Sequence, residues 1–297
     1  MSENNKPIIN WYPGHMNKAR KSMESGMKLI DLVIEILDAR APLSSRNPDI
    51  DKMASGKDRL IIMNKADLAD KSISDKWRDY FKAKGIETVF INSKNKEGLR
   101  NVMPAVKKAC EKRIERNLKR GIKNQPIRAM VAGIPNVGKS TFINAFCGKN
   151  MAKTGNKPGV TKGEQWIKVN PELQLLDTPG ILWPKFEDQE VGRRLAYLGS
   201  INDEILVTEE LAGDLLLYLK DNYHNLLKER YNISEEIFEG HEDDSSFSTP
   251  QSIMMDYIAK KRGCLKQGGE TDYFKTAGVI LEDFRSGKIG KITLEQP

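Results

Sequence analysis

The spacing of apolar residues changes part-way along the chain. As far as about residue 185, short apolar runs bounded by turn residues alternate with longer stretches that are apolar on one side only. Such runs predict buried strands, and their alternation with helices predicts an α/β fold with a mostly parallel sheet. The predicted strands are 32–37, 59–63, 88–91, 127–132, 165–169 and 173–176.

From about Glu190 the apolar residues recur at intervals of three and four, which predicts helices. Thr249 and Pro250 fit the start of one such helix and Gly263 fits its end. The acidic and polar stretch 240–248 predicts a flexible loop. We therefore predict an α/β domain over residues 1–185, followed by a smaller all-α domain over residues 190–297.

Composition narrows the class of protein and its compartment. Apolar residues make up 39% of the chain and charged residues 30%, as in soluble globular proteins. The three cysteines lack the paired spacing of a disulfide framework or a zinc site, and this fits a reducing compartment. The first residues lack an apolar signal core, and no apolar run has the length of a membrane span. We expect a cytoplasmic protein with no membrane contact, monomeric by default.

The net charge of +7 conceals an asymmetry between the two predicted domains. Residues 190–297 carry 13 Lys and Arg against 20 Asp and Glu, whereas residues 1–189 carry 35 against 21. Within the predicted helix Glu97–Lys119 and its extension, the segment Lys107–Lys123 has eight basic and two acidic residues. This segment favours a nucleic-acid partner, and the alternative is a solvated helix face stabilised by pairs of opposite charge.

A phosphate-binding loop follows the strand 127–132. Gly133–Ser140 fits the pattern G-x-x-x-x-G-K-S/T and leads into a predicted helix, so the motif has the strand–loop–helix context that it requires. The glycines allow backbone N–H groups to turn towards phosphate oxygens, and the helix N-terminus adds its positive end. Lys139 would reach the β- and γ-phosphates, and Ser140 would place its hydroxyl on Mg²⁺.

Two motifs upstream of the phosphate-binding loop predict that the bound ligand is a guanine nucleotide. Asn64-Lys65-Ala66-Asp67 follows one strand, and Asn92-Ser93-Lys94 follows another. The Asp67 carboxylate can accept two hydrogen bonds from guanine, whereas adenine has no such pair of donors. Because an unpaired buried acceptor is costly, a site of this kind can discriminate by about 10⁴ or more. A kinase with a phosphate-binding loop is disfavoured for the same reason.

The chemistry of hydrolysis is predicted downstream of the phosphate loop. Asp177 would orient Mg²⁺ through water, and Gly180 would offer its N–H to the γ-phosphate. Thr161, in a predicted mobile loop at 150–163, would supply a second hydroxyl to Mg²⁺. The residues predicted to bind the nucleotide are Asn64, Lys65, Ala66, Asp67, Asn92, Ser93, Asn136, Val137, Gly138, Lys139, Ser140, Thr141 and Gly180.

The order of these motifs is unusual, because the guanine motifs precede the phosphate loop, the switch threonine and D-x-x-G. The chain therefore resembles a circularly permuted GTPase. Within that class, its segments W-Y-P-G-H-M, D-A-R-x-P-x-S-S-R-N-P, G-I-P-N-V-G-K-S and D-T-P-G-I-L-W-P-K-F-E-D resemble those of the bacterial ribosome biogenesis GTPase A (RbgA/YlqF) family. The resemblance implies a circularly permuted P-loop GTPase domain followed by a helical domain that contacts RNA or the ribosome.

The glutamine that orients water in Ras-type GTPases is replaced by Ile181, which cannot hold water. The resemblance implies that His15 takes this role, and the alternative is a structural histidine at a turn. Asn136 resembles the asparagine that coordinates K⁺ in potassium-activated GTPases, or it serves only to hold the loop. For Arg40 and Arg46 the sequence leaves two roles open: they would either bind RNA or stabilise local structure.

Together these residues predict a GTPase of low intrinsic activity that cycles between GTP and GDP. The resemblance implies that it binds the immature large (50S) ribosomal subunit, with its 23S rRNA and ribosomal proteins, in the GTP form. The subunit would stimulate hydrolysis, and hydrolysis would release the protein. The alternative is a GTP-gated RNA-binding module whose hydrolysis is incidental.

Overall fold

The computed structural model describes residues 9, 11–148, 165–239 and 249–297. Two compact units make up the chain: Met1–Leu195 together with Thr293–Pro297, and Ala196–Ile292. We predicted a division at 185–190, whereas the structure divides the chain after Leu195. Our prediction also placed the last five residues in the helical domain, whereas the structure assigns Thr293–Pro297 to the first unit.

The first unit is built on a six-stranded sheet. The strand order is β3-β2-β1-β4-β6-β5, in which β5 and β6 form an antiparallel pair and every other pairing is parallel. This confirms the predicted mostly parallel α/β fold. The strands are β1 (Leu32–Asp38), β2 (Asp58–Asn64), β3 (Glu87–Phe90), β4 (Ile127–Ala132), β5 (Gln165–Asn170) and β6 (Leu173–Asp177).

The helices of this part of the chain begin with α1 and end with α7. They are α1 (His15–Gly26), α2 (Pro48–Met53), α3 (Lys71–Ala83), α4 (Val102–Ala109), α5 (Glu111–Lys119), α6 (Lys139–Cys147) and α7 (Gln189–Tyr197). The prediction of one long helix over Glu97–Lys119 was wrong. Cys110 leaves helical geometry (φ −100°, ψ 9°) and buries its thiol, so the amphipathic pattern is divided between α4 and α5.

Every residue of β1 is buried, so both faces of the sheet are covered at its centre. Two hydrophobic cores lie on one of these faces. In the first, Ala19 and Met23 of α1 pack in a cluster that includes Met130 of β4, Leu176 of β6 and Ile181. The other core contains the buried aromatic residues of α3 together with apolar residues of β1 and β2. With both faces covered, the carboxyl ends of the strands are the natural place for a ligand.

The second unit is helical over the residues that the structure describes. Its helices are α8 (Thr208–Asn222), α9 (His224–Tyr231), α10 (Glu235–Glu239), α11 (Pro250–Arg262) and α12 (Tyr273–Arg285). The predicted start of α11 is confirmed, because Thr249 and Ser252 form a reciprocal capping box. Its predicted end is also confirmed, since Gly263 is left-handed with φ 65°. The predicted loops at 150–163 and 240–248 lie outside the described residues.

In the described parts of the chain, no helix is both long enough and apolar enough to pass through a lipid bilayer.

Candidate functional site

Three of the predicted motifs lie at the carboxyl ends of parallel strands of the sheet. Asn64 ends β2, the phosphate loop follows β4, and Asp177 ends β6. Strand register places Asp38, the last residue of β1, beside Asn64, and Val131 beside Asp177. The fold therefore brings residues from distant parts of the sequence to one edge of the sheet.

The phosphate loop has the backbone geometry that its motif requires. Gly133, Asn136 and Gly138 have positive φ angles of 153°, 60° and 93°. A Cβ atom on Gly133 would lie 2.6 Å from the carbonyl oxygen of Ile36, so that position admits only glycine without a backbone shift. Ser140 and Thr141 lie in the first turn of α6, directly after the loop.

Lys139 and Asp177 are buried residues whose charges influence each other. Lys139 Nζ donates to the carbonyl oxygens of Gly133 (3.0 Å) and Ile134 (2.8 Å). Burial lowers the pKa of Lys139 to about 8, although the charge of Asp177 opposes this shift. Burial likewise raises the pKa of Asp177 to about 6, against the effect of Lys139. Desolvation thus outweighs the attraction between the two groups.

The Oδ1 atom of Asp177 is buried and has no hydrogen-bond partner among the described residues. Gly180 lies close to Lys139, because a Cβ atom there would be 2.7 Å from Lys139 Nζ. A buried carboxylate oxygen without a partner is costly, so this arrangement is suited to a cation or a donor supplied by a ligand. Within the described chain no three His, Cys, Asp or Glu side chains converge as metal ligands.

Asn64 joins the phosphate loop to the guanine motif that follows β3. Its Nδ2 donates to the carbonyl oxygen of Val137 at 2.7 Å, and its Oδ1 accepts from the backbone N–H of Ser93 at 3.1 Å. Asn64 is 2% exposed, so water does not compete with either bond. One amide side chain therefore fixes the distance between the two loops.

Lys65 makes a second link to the phosphate loop. It has a left-handed backbone (φ 58°), its Nζ donates to the carbonyl oxygen of Asn136 at 2.8 Å, and it pairs with Asp38 at 2.9 Å. Burial alone would raise the pKa of Asp38, but Arg40 and Lys65 hold it well below its usual range. Arg40 is 1% exposed and bidentate to Asp38, so its role is structural. Arg46 likewise pairs with Glu35 and Asp51.

The residues predicted to bind the base include an exposed carboxylate and a loop shaped by hydrogen bonds to its own backbone. Asp67 is exposed, just after the point where Ala66 N–H bonds to the carbonyl oxygen of Ile91 (3.1 Å). Asn92 Oδ1 shapes the second loop by accepting from the N–H groups of Lys94 and Asn95 at 3.0 and 3.1 Å. The neighbouring Ser93 hydroxyl is buried without a described partner.

The segment after Asp177 is apolar and packed. Ile181 and Leu182 are each 1% exposed, and the Ile181 carbonyl oxygen accepts from Asn47 Nδ2 at 3.1 Å. His15 is exposed as the first residue of α1. Thr161 lies outside the described residues. Asn47 and Asp38 were not predicted as site residues, although both belong to the D-A-R segment that carried the family resemblance.

This chain resembles known proteins along nearly its whole length. Residues 128–247 match a family model described as 50S ribosome-binding GTPase. "Ribosome biogenesis GTPase A" of Bacillus cereus is 48% identical over 98% of this chain and 94% of that protein. A protein of the same name from Thermotoga maritima is 30% identical over 97% and 95%. This chain belongs to the ribosome biogenesis GTPase A family.

Solved structures of the ribosome biogenesis GTPase A type share the fold. A GDP-bound structure of TM YlqF and a crystal structure of GNP-bound YlqF from T. maritima both align with a TM-score of 0.64 and 25% identity. They cover 93% and 94% of this chain, and 98% of each YlqF chain is matched. The family-model match begins in β4, so both guanine motifs precede it along the chain.

The two glycines that flank α6 provide a matched test of the phosphate loop. Gly138 (φ 93°) and Gly148 (φ 68°) both have positive φ, but among the described residues a Cβ atom would clash only at Gly138, at 2.3 Å from Asn64 Nδ2. Each substitution by alanine should cost about 1–2 kcal/mol of unfolding free energy from backbone strain. Gly138→Ala should in addition weaken guanine-nucleotide binding at least about tenfold, because it displaces Asn64. Equal nucleotide affinity in the two variants, measured by titration calorimetry, would contradict this account of Asn64.

Proposed function

We propose that this protein binds GTP at the edge of the sheet formed by Asn64, Asp177 and the phosphate loop, and hydrolyses it to GDP. The observation that carries the proposal is the two hydrogen bonds that Asn64 makes, one donated to Val137 and one accepted from Ser93. They connect the phosphate loop to the loop Asn92–Lys94, which we call the guanine loop. One nucleotide then spans both loops, with its phosphates at Gly133–Ser140 and its base between Asp67 and Ser93. Membership of a GTPase family supports the same conclusion.

We infer that the GTPase domain is circularly permuted. In the chain, N-K-x-D and N-S-K come before the phosphate loop and D-x-x-G, whereas ordinary GTPases have the opposite order. The sheet order supports this inference, since β1, β2 and β3 lie on one side of β4, and β6 and β5 lie on the other. A rearrangement of this kind keeps the spatial site while it changes which strand comes first.

Magnesium fits the residues at the phosphate end of the site. Asp177 offers a buried carboxylate oxygen that has no partner among the residues the structure describes, and Ser140 lies in the first turn of α6. Ser140 would bind the ion directly, Asp177 would hold it through water, and Thr161 would add a second hydroxyl. Mg²⁺ commonly takes only one or two protein ligands beside substrate phosphates, and when bound it neutralises charge on the phosphate oxygens.

The water that attacks the γ-phosphate must be oriented by a residue outside the segment that follows Asp177, because Ile181 and Leu182 are buried and apolar. We propose His15 for this role. Its helix supports the assignment, because α1 residues Ala19 and Met23 pack in the same cluster as Ile181. An imidazole can orient or deprotonate water near neutral pH. Isolated protein should accordingly hydrolyse GTP slowly.

K⁺ is proposed as an activator that Asn136 would help to bind. The left-handed backbone of Asn136 and the bond from Lys65 to its carbonyl oxygen fix this residue within the phosphate loop. K⁺ would supply positive charge near the phosphates, where other GTPases use an arginine. A comparison of turnover in KCl and in NaCl at equal ionic strength tests this role.

We further propose that the partner is the immature large ribosomal subunit, as the names of the relatives and of the family model suggest. Several basic residues of Lys107–Lys123 are already paired within the protein, among them Arg113 with Asp31 and Asp58. Others remain exposed and are available to RNA phosphates. These are Lys112, Arg116, Lys119, Arg120 and Lys123. Binding would occur in the GTP form, and hydrolysis would release the protein.

Base specificity should depend on Asp67. Asp67→Ala removes the acceptor for guanine, so the preference for GTP over ATP should fall by about 10³-fold or more. Binding of fluorescent GTP and ATP analogues to the wild type and the variant measures this preference. Asp79→Ala, at an exposed carboxylate of α3, is the control and should change nothing. If the wild type bound ATP as well as GTP, the proposed function would be wrong.

The Asp177 carboxylate should make magnesium binding dependent on pH. Its folded pKa of about 6 lies above the usual value of 3.8, so the group is ionised at pH 7.5 and mostly protonated at pH 5. The Mg²⁺ concentration needed to support GDP binding should therefore rise by about tenfold between these pH values. Asp177→Asn should remove this pH dependence, except for the part that comes from protonation of the nucleotide itself. Ser140→Ala should weaken Mg²⁺ binding at both pH values but leave the pH dependence in place.

The same raised pKa also affects stability without ligand. Because the folded state holds the Asp177 proton more tightly than the unfolded chain, its contribution is present below about pH 4. That contribution is lost as the pH rises through about 6. Thermal unfolding of nucleotide-free protein at pH 5 and pH 7.5, in the wild type and Asp177→Asn, measures it. An identical pH dependence in both proteins would exclude Asp177 as its source.

Turnover with and without purified 50S particles tests the ribosomal role. Particles should increase GTP hydrolysis by at least about tenfold, and His15→Ala should remove most of this increase while GTP binding is retained. His224→Ala is the control, because His224 is a partly exposed histidine of the second unit paired with Glu235. A His15→Ala protein that stays bound to particles indicates release by hydrolysis. Normal release would favour the GTP-gated RNA-binding module.

A further inference from the structure

The chain returns to the first unit at its C-terminal end, and backbone hydrogen bonds attach it there. Leu294 N–H donates to the carbonyl oxygen of Arg40 at 2.7 Å. Thr293 Oγ1 accepts from Asp70 N–H at 3.0 Å, at the start of α3. We call Thr293–Pro297 the C-terminal strap. It lies on the loop that follows β1.

Glu295 is the centre of this attachment. Its carboxylate accepts from the backbone N–H groups of Leu43 and Ser44 and from the Ser44 hydroxyl. Arg194 Nη1 lies 3.0 Å from Glu295 Oε2 and completes the set of donors. Glu295 and Ser44 are 8% and 1% exposed, so these bonds are made away from water. Charge-assisted bonds of this kind are among the strongest that side chains make.

The loop held by Glu295 also touches the segment after Asp177. One turn beyond Leu43, the N–H of Arg46 donates to the Leu43 carbonyl oxygen at 3.0 Å. The next residue, Asn47, caps α2 by accepting from Asp49 N–H and donates its Nδ2 to the Ile181 carbonyl oxygen at 3.1 Å. A displacement of Leu43 or Ser44 would therefore move the residue that holds Ile181.

Ile181 directly follows Gly180, whose N–H is the proposed donor to the γ-phosphate. GDP lacks that phosphate, so only GTP benefits when Gly180 is held in place. Arg194, on α7, lies in the chain that continues from this segment, and Glu295 lies after the second unit. Arg194 and Glu295 therefore come from the two parts of the first unit that precede and follow the second unit in the sequence. They form an ion pair beside Ser44.

We propose that Glu295 is a positioning residue for GTP: it fixes the loop Leu43–Asn47, which holds Ile181 and thereby sets Gly180 for the γ-phosphate. The proposal rests on the proposed function, because it assigns regulation to that same site. By linkage, a γ-phosphate at Gly180 also tightens the strap. Couplings of this kind change relative affinities by roughly 5- to 150-fold.

The first test compares affinities for GTPγS and GDP in the presence of Mg²⁺. Glu295→Ala should lower the ratio of GTPγS affinity to GDP affinity by about tenfold and leave GDP affinity nearly unchanged. Asn47→Ala should lower the ratio similarly, and the double variant should lower it no further, because both residues act through one connection. A purely structural role would instead weaken both nucleotides equally.

Two further variants sharpen this comparison. Glu295→Gln keeps an oxygen acceptor for Leu43 and Ser44 but loses the charge, so it should retain a larger GTPγS preference than Glu295→Ala. Glu270→Gln removes one charge at an exposed position of the second unit and should behave as the wild type. If Glu295→Gln and Glu295→Ala both kept the wild-type ratio, the proposal would be overturned.

Hydrogen exchange of the wild type gives a readout that needs no substitution. The amides of Leu43 and Ser44 should exchange several-fold more slowly with GTPγS bound than with GDP bound. Equal exchange in the two states would overturn the proposal even if Glu295→Ala failed to fold. If the wild type binds guanine nucleotides without preference over ATP, the proposed function fails. If the wild type prefers GTP over ATP, but amide exchange does not differ between GTPγS and GDP and the variants keep the wild-type affinity ratio, then only the inference about Glu295 fails.

Discussion

The Asn64 side chain sets the geometry on which the rest of the site depends. Its amide bonds to the phosphate loop at Val137 and to the guanine loop at Ser93, two segments that belong to different strand ends. Both bonds are buried, so the amide cannot exchange them for water at no cost. A guanine nucleotide has a fixed distance between base and phosphates, and this one residue holds the two loops at a constant separation.

Around this link the protein buries charges that a nucleotide would compensate. Lys139 and Asp177 are both shifted towards their neutral forms, because burial outweighs their mutual attraction. In contrast, Asp38 stays strongly acidic, since Arg40 and Lys65 both contact it. The charge of Asp38 is compensated within the protein, whereas Asp177 keeps a buried oxygen with no hydrogen-bond partner among the described residues.

The segment after Asp177 gives up the usual catalytic side chain in favour of packing. Ile181 is buried in the core beneath α1, and its carbonyl oxygen is held by Asn47. Such a segment can sense a phosphate through its backbone but cannot orient water with its side chain. A group that orients water would therefore have to come from another element, as we propose for His15.

The sequence by itself determined the α/β class, the strand positions and the nucleotide motifs, because these depend on local periodicity and on short patterns with a fixed chemistry. It did not determine the break at Cys110 or the roles of Arg40 and Asn47, since these follow from packing against residues far away in the chain. Nor did it reveal that Glu295 lies beside Ser44. Long-range pairs of buried polar groups leave no local pattern, so only the tertiary structure could decide them.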